Sequence, residues 1–169
     1  MQTRAVVSLG VGILYIKIEI FYIYLQMRVY LDNCCFNRPF DDQSDMIVYL
    51  ETKSKLAIQG MIKDKGLELV WSEVLDFENN ENPFEERKIK ILEWKSLAVE
   101  NIEMNDLILE KARKLLSLGL RQKDASHIAC AIFGKVDFFV TTDKKILNKN
   151  VQDIELINPI DLVRRFYVD

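Results

Sequence analysis

Residues 28–37, RVYLDNCCFN, decide the fold, because a short apolar run there ends at a carboxylate. Val29, Tyr30 and Leu31 are the kind of residues that form a strand buried on both faces of a parallel sheet. In open α/β sheets, ligands lie outside the carboxyl ends of the strands, so Asp32 occupies a position where a reacting group is held. Aspartate is also favoured at turns because of its local hydrogen bonds, and Asp32 alone does not distinguish the two interpretations.

Length and composition favour one globular domain. The chain has 169 residues, of which 49% are hydrophobic and 29% charged, so it can build a core. A net charge of -3 argues against a surface that binds nucleic acid mainly by neutralising phosphates; positive charge for that purpose must be local or come from a metal. Three cysteines without metal-site spacing indicate a reducing, cytoplasmic location, with Cys34 and Cys130 as small core residues.

Residues 1–26 form an apolar leader that differs from the remainder of the chain. It is similar to a signal peptide or membrane anchor, but Lys17 and Glu19 interrupt it before about 18 apolar residues accumulate. Isoleucines alternate with these two charges, which suits a strand equally well. We favour a third interpretation, in which Met27 is the functional start, residues 27–169 form the domain and no stable membrane association is expected.

Extended and helical patterns alternate from Met27 onward. Helices are predicted at residues 42–61, 73–79, 84–97 and 106–116, then from Asp124 to Gly134, after Asp143 and after Pro159. Strands are predicted at residues 28–31, 67–71, 136–140 and 154–157, the last at a sheet edge. This order predicts an α/β fold with a central, mostly parallel sheet and helices on both faces.

Four carboxylates follow strands or begin helices in this arrangement, namely Asp32, Glu78, Asp124 and Asp143. Such positions converge on one edge of a parallel sheet, where uncompensated carboxylates would repel one another. The pattern therefore predicts a site for a hard divalent metal, Mg²⁺ or Mn²⁺. A single histidine, His127, and no usable cysteine set argue against zinc.

Each of these residues also has a simpler interpretation. Asp124 and Asp143 are candidates for helix N-caps, a role that each can fill while binding metal. His127 follows Asp124 by one turn and is more typical of a packed or surface helix residue than of a general base. Glu78 competes for the role of second acid with the nearby carboxylates Glu73, Asp76 and Glu81.

Three segments together resemble a known family. They are YLDNCCFNRPFDD at residues 30–42, VLDFEN at residues 74–79 and KDASHIACAIFGKVDFFVTTDKKIL at residues 123–147. The last is the most specific, because an acid opens an Ala-rich helix that a hydrophobic strand and Thr-Thr-Asp then follow. The chain from Met27 onward resembles the PIN-domain nucleases, the family that includes the VapC-type toxins of bacterial toxin-antitoxin pairs.

The resemblance implies a PIN-like three-layer α/β/α fold and a metal-dependent endoribonuclease that hydrolyses RNA phosphodiester bonds with Mg²⁺ or Mn²⁺. Asp32, Glu78, Asp124 and Asp143 match the acidic positions of the family, although VLDFE departs from its usual Thr-x-x-Glu pattern. Thr141 or Thr142 matches the polar residue beside the last acid.

Substrate and partner expectations follow from the same resemblance. Arg38, Lys123, Lys144 and Lys145 lie beside the acids in sequence and are candidates for contacting the RNA backbone. The family implies a homodimer and an antitoxin, for which the apolar residues of the helix at 42–61 offer one wall or else form ordinary core. Two alternatives remain open: a catalytically silent PIN-like binding module, and a haloacid dehalogenase-like phosphohydrolase, whose motif needs an aspartate where this chain has Cys34.

Overall fold

The computed structural model describes residues 27–167. The strands are β1 (Arg28–Leu31), β2 (Glu68–Ser72), β3 (Ala98–Ile102), β4 (Phe138–Val140) and β5 (Glu155–Ile157). The helices are α1 (Asn33–Asn37), α2 (Met46–Lys63), α3 (Glu73–Asn80), α4 (Glu85–Leu92), α5 (Asp106–Leu116), α6 (Gln122–Phe133), α7 (Lys144–Leu147) and α8 (Pro159–Tyr167), with 3₁₀ turns at Arg38–Phe40 and Glu93–Leu97. The predictions for the leader, residues 1–26, lie outside the described residues.

The five strands form one sheet in the order β3-β2-β1-β4-β5, and every neighbouring pair is parallel. The chain first builds outward from β1 to β3 and then returns to place β4 on the other side of β1. The boundary between β1 and β4 is therefore a topological switch point, where open α/β sheets form their ligand crevice. Asp32 and Thr141 are the first residues past these two strands.

Helices cover both faces of the sheet, so the molecule has three layers. Helices α2 and α8 pack against each other, as do α5 and α6. Val29, Tyr30 and Leu31 of β1 are completely buried, as expected of a strand with helices on both sides. The predicted α/β class with a central parallel sheet is thus confirmed. No helix between residues 27 and 167 has both the length and the apolar character needed to span a membrane.

The region between residues 80 and 105 differs most from the prediction. The single helix predicted at 84–97 is α4 followed by a separate 3₁₀ turn. Strand β3 was not predicted at all, because it pairs on one side only and leaves Val99, Glu100 and Asn101 exposed, so its sequence lacks a buried apolar run. Helix α1, a single turn, was also missed.

The residues at which helices begin agree better with the prediction than the region between residues 80 and 105 does. Asp45 caps α2 by accepting hydrogen bonds from the backbone N–H groups of Ile47 and Val48. Asp143 caps α7. Asp124 is not an N-cap: Arg121 holds that position and Asp124 lies in the first turn of α6.

Candidate metal centre

Asp32 is fixed at the boundary between β1 and β4. Its backbone N–H donates to the carbonyl of Val140 (2.9 Å), which continues the strand pairing by one residue. Its Oδ1 caps α1 by accepting from the N–H of Asn33 (2.8 Å). Its Oδ2 accepts from the hydroxyl of Thr141 (2.7 Å) and from Sγ of Cys34 (3.2 Å). The carboxylate is thus oriented by donors from α1 and from the residue that follows β4.

Burial raises the pKa of the Asp32 carboxyl group above its ordinary value. The charge of His127 and the hydrogen bonds from Thr141 and Cys34 oppose this shift without cancelling it. The ionised form of Asp32 is therefore under-compensated by the protein alone, and a nearby cation would stabilise it.

Glu78 lies on α3, and its Oε2 is 2.8 Å from Nε2 of His127. Lys123, on α6, places its Nζ 3.6 Å from the other carboxylate oxygen. Burial acts to raise the pKa of Glu78, but the hydrogen bond and charge of His127, followed by those of Lys123, outweigh it and lower the pKa. Glu78 is consequently held in its ionised form.

His127 connects Glu78 to the core of the sheet. Its ring is 2% exposed, and its Nδ1 lies 2.7 Å from the hydroxyl of Tyr30 on β1. The same hydroxyl lies 2.6 Å from Oγ of Ser72 on β2. One ligand atom each from Asp32, Glu78 and His127 lie within 4.8 Å of one another. We call these three residues the inner cluster.

Asp124 and Asp143 form a second group, here called the outer pair, which Arg121 bridges. Nε of Arg121 donates to Oδ2 of Asp124 (2.9 Å), and one terminal nitrogen donates to Oδ2 of Asp143 (3.1 Å). The hydroxyl oxygen of Thr141 accepts from the backbone N–H of Asp143 (3.1 Å) while the hydroxyl donates to Asp32. Thr141 therefore joins the outer pair to the inner cluster.

The structure gathers the four predicted acids into these two groups. Glu78 joins Asp32, whereas the carboxylate of the rival Glu73 accepts from the backbone N–H of Met104 (2.8 Å). The rival Asp76 accepts from the indole of Trp71 and from Lys95, and so ties α3 to its surroundings.

The predicted substrate-binding residues lie in different environments. Lys123 borders Glu78, and Thr141 contacts Asp32 directly. The backbone N–H of Thr142 faces Sγ of Cys34 (3.4 Å), and Lys144 is exposed at the start of α7. Arg38 forms ion pairs with Glu51 (2.5 Å) and Asp41 (3.1 Å), which tie the first 3₁₀ turn to α2 and compete with its predicted role in RNA binding.

Three further residues contact the site although the sequence does not predict them to belong to it. The sequence favours a packed or surface helix role for His127, and the signal that it offers is its position one turn after Asp124. Cys34 was assigned to the core, but it is partly exposed and contacts Asp32 and Thr141. Arg121 gave a weak signal, as a cation three residues before an acid.

The donor set fits a divalent cation. Asp32 is a buried carboxylate without sufficient compensation, and Glu78 presents a second ionised carboxylate beside it. Oxygen ligands of this kind are preferred by hard ions such as Mg²⁺ and Mn²⁺. Among residues 27–167, the inner cluster is the candidate for holding such an ion, with the outer pair adjoining it.

Comparisons with known proteins give a limited result. No family model and no curated protein matches the chain. Among solved structures, this chain is similar in shape to a chain in the crystal structure of VapBC2 from Rickettsia felis. That structure is described as bound to a DNA fragment from the VapBC2 promoter. The alignment covers 78% of this chain and 98% of that chain, with a TM-score of 0.48 and 16% sequence identity. Likeness at this level assigns neither a family nor an activity.

Proposed function

We propose that this chain is a metal-dependent endoribonuclease of the PIN type. The observation that carries the proposal is the placement of Asp32, Glu78 and His127 within 4.8 Å of one another, at the switch point of a parallel sheet. The outer pair beside them and the sequence resemblance support the same assignment. Mg²⁺ or Mn²⁺ is the proposed cofactor.

Asp32 and Glu78 are the proposed ligands, and His127 orients Glu78. Nδ1 of His127 lies 2.7 Å from the hydroxyl of Tyr30, whose pKa is raised well above its ordinary value by burial, so this hydroxyl stays protonated and fixes the position of the ring. Nε2 of His127 donates to the ionised Glu78. The second carboxylate oxygen of Glu78 faces Nζ of Lys123 at 3.6 Å, and the Thr141 hydroxyl orients Asp32 in a similar way.

Hydrolysis of a phosphodiester needs an activated water and compensation of negative charge. A divalent ion held by these carboxylates would supply both functions. Lys123 contributes a positive charge at the rim of the site, close to Glu78. Arg121 holds the outer pair together and would turn towards the RNA phosphate when the pair binds metal.

The test compares Glu78→Gln with Glu73→Gln on a labelled RNA in Mg²⁺, in Mn²⁺ and in EDTA. Glutamine preserves the shape of each side chain while removing its charge. We expect EDTA to abolish cleavage, Glu78→Gln to lower it by about 100-fold, and Glu73→Gln to leave it near wild type, because an amide oxygen still accepts from Met104.

Four outcomes would contradict all or part of the proposal. Cleavage that persists in EDTA would exclude the metal, and hydrolysis of a small phosphomonoester without RNA cleavage would indicate a phosphatase. RNA binding without cleavage in either metal would indicate a silent binding module. Greater loss in Glu73→Gln than in Glu78→Gln would move the second acid to Glu73.

We further propose that the protein is the toxin of a type II toxin-antitoxin pair and forms a homodimer. The support is the exposed apolar surface at the start of α2, where Met46, Ile47 and Leu50 are 67%, 53% and 41% exposed. The alternative that these residues are ordinary core is therefore wrong. Light scattering at micromolar concentration tests the dimer, and a monomer would count against it.

A further inference from the structure

An open groove of about 350 Å³ borders the candidate metal centre, because Glu78 of the inner cluster is one of its lining residues. Asn33, Phe84 and Arg87 also line it. Its volume lies at the small end of the range of about 300–1,000 Å³ that is usual for small-ligand sites. Because Glu78 belongs both to the groove and to the inner cluster, the groove is continuous with the site proposed above.

Three asparagines that line the groove are joined by hydrogen bonds between their amide groups. Nδ2 of Asn37 donates to both the backbone carbonyl (3.1 Å) and Oδ1 (3.2 Å) of Asn33. Nδ2 of Asn82 donates to Oδ1 of Asn37 (3.0 Å). These bonds tie α1, which follows Asp32 directly, to the connection between α3 and α4. Side-chain hydrogen bonds thus join the segment that follows Asp32 to the segment that precedes Phe84.

The groove also contains an aromatic ring beside an arginine. The guanidinium carbon of Arg87 lies 4.0 Å from the centre of the Phe84 ring and 5.0 Å from that of Phe40. Phe84 nevertheless remains 53% exposed. In the part of the chain that the structure describes, Arg87 has no ion pair with a carboxylate, whereas Lys123 in the same groove pairs with Glu81 and Glu78. The donors of Arg87 are therefore available to an anion.

We propose that this groove is a subsite for one unpaired nucleotide of the RNA next to the cleaved phosphate. Its base stacks on Phe84 and its phosphate contacts Arg87. The proposal rests on the proposed function for the identity of its ligand. Only an unstacked base can reach an exposed aromatic ring, so the subsite selects single-stranded RNA over a duplex.

Fluorescence anisotropy of a labelled single-stranded RNA in EDTA tests the subsite without cleavage. We expect Phe84→Leu to weaken binding by about 5- to 100-fold and Phe84→Tyr, which keeps the ring, to remain near wild type. Phe77→Leu is the matched control, because Phe77 is 61% exposed but lies outside the groove. Arg87→Gln should reduce the dependence of log affinity on log salt by about 0.7.

Unchanged binding in Phe84→Leu, equal losses in Phe84→Leu and Phe77→Leu, or equal sensitivity of a blunt duplex would overturn the proposal. The two proposals fail separately. If no RNA is cleaved but Phe84→Leu still weakens single-strand binding, the subsite stands without the nuclease. If metal-dependent cleavage is found and Phe84→Leu changes nothing, the subsite alone is wrong.

Discussion

Replacing Arg121 by glutamine tests whether this guanidinium competes with metal for the outer pair. The Arg121 side chain is 68% exposed, so each of its ion pairs with Asp124 and Asp143 contributes less than about 1 kcal/mol. Together we assign them about 1 kcal/mol of stability in the metal-free protein. Removing them should lower the melting temperature in EDTA by about 2–4 °C.

The same substitution should strengthen metal binding. A divalent ion that enters the outer pair no longer has to displace a cation, and about 1 kcal/mol corresponds to a gain in Mn²⁺ affinity of about 5-fold. Titration calorimetry with Mn²⁺ measures this directly, and Arg113→Gln, at an exposed arginine on the last turn of α5, is the control. Mn²⁺ affinity that is unchanged or weaker in Arg121→Gln would refute the competition.

Three further predictions concern stability. Burial raises the pKa of Asp32 above 3.8 in the folded state, so the folded protein still holds a proton at pH values where the unfolded chain has released it. The stability of the protein therefore falls as the pH rises from the unfolded pKa through the folded pKa. In EDTA at neutral pH, Asp32→Asn should therefore have a higher melting temperature than the wild type, and this difference should disappear below about pH 3.8. Mn²⁺ should not stabilise the variant. A lower melting temperature than the wild type at neutral pH would contradict this prediction. A Cβ at Gly134 would lie 2.8 Å from Cγ1 of Val70, whereas one at Gly60 meets nothing within 4 Å. In urea denaturation, Gly134→Ala should lower the free energy of unfolding by about 1–3 kcal/mol. Gly60→Ala should raise it by up to about 1 kcal/mol. Deleting residues 1–26 should leave the melting temperature and RNA cleavage intact, and membrane partitioning lost on truncation would show an anchor instead.

The sequence predicts those parts of the fold whose burial produces a recognisable pattern. Strands β1 and β4 have helices on both faces and are therefore continuous apolar runs. Strand β3 lies at the sheet edge with Val99 56% exposed, so no alternation or apolar run marks it. The apolar pattern does not show which strands are neighbours. The sheet order does: β4 lies beside β1 because the chain returns to the far side of β1 after β3.

The sequence predicts four candidate acids from their positions and from the family resemblance, but it does not predict their division into an inner cluster and an outer pair. Strand ends indicate which carboxylates share an edge, whereas the bond from Thr141 to Asp32 depends on residues 109 positions apart. The contact between Arg121 and Asp143 likewise spans 22 positions and depends on how α6 lies beside β4. Cys34 was assigned to the core because its side chain is small and apolar, and only the turn of α1 directs it towards Asp32.

Charge compensation differs between the two halves of the site, and this difference predicts the order in which the proposed metal ions would bind. Each acid of the outer pair already contacts the guanidinium of Arg121. In the inner cluster Glu78 has the hydrogen bond of His127, with Lys123 at 3.6 Å, whereas Asp32 is oriented only by neutral donors within hydrogen-bonding distance and has a raised pKa. The largest uncompensated charge is therefore at Asp32. The first divalent ion should enter the inner cluster, and binding at the outer pair should be the step at which Arg121 competes.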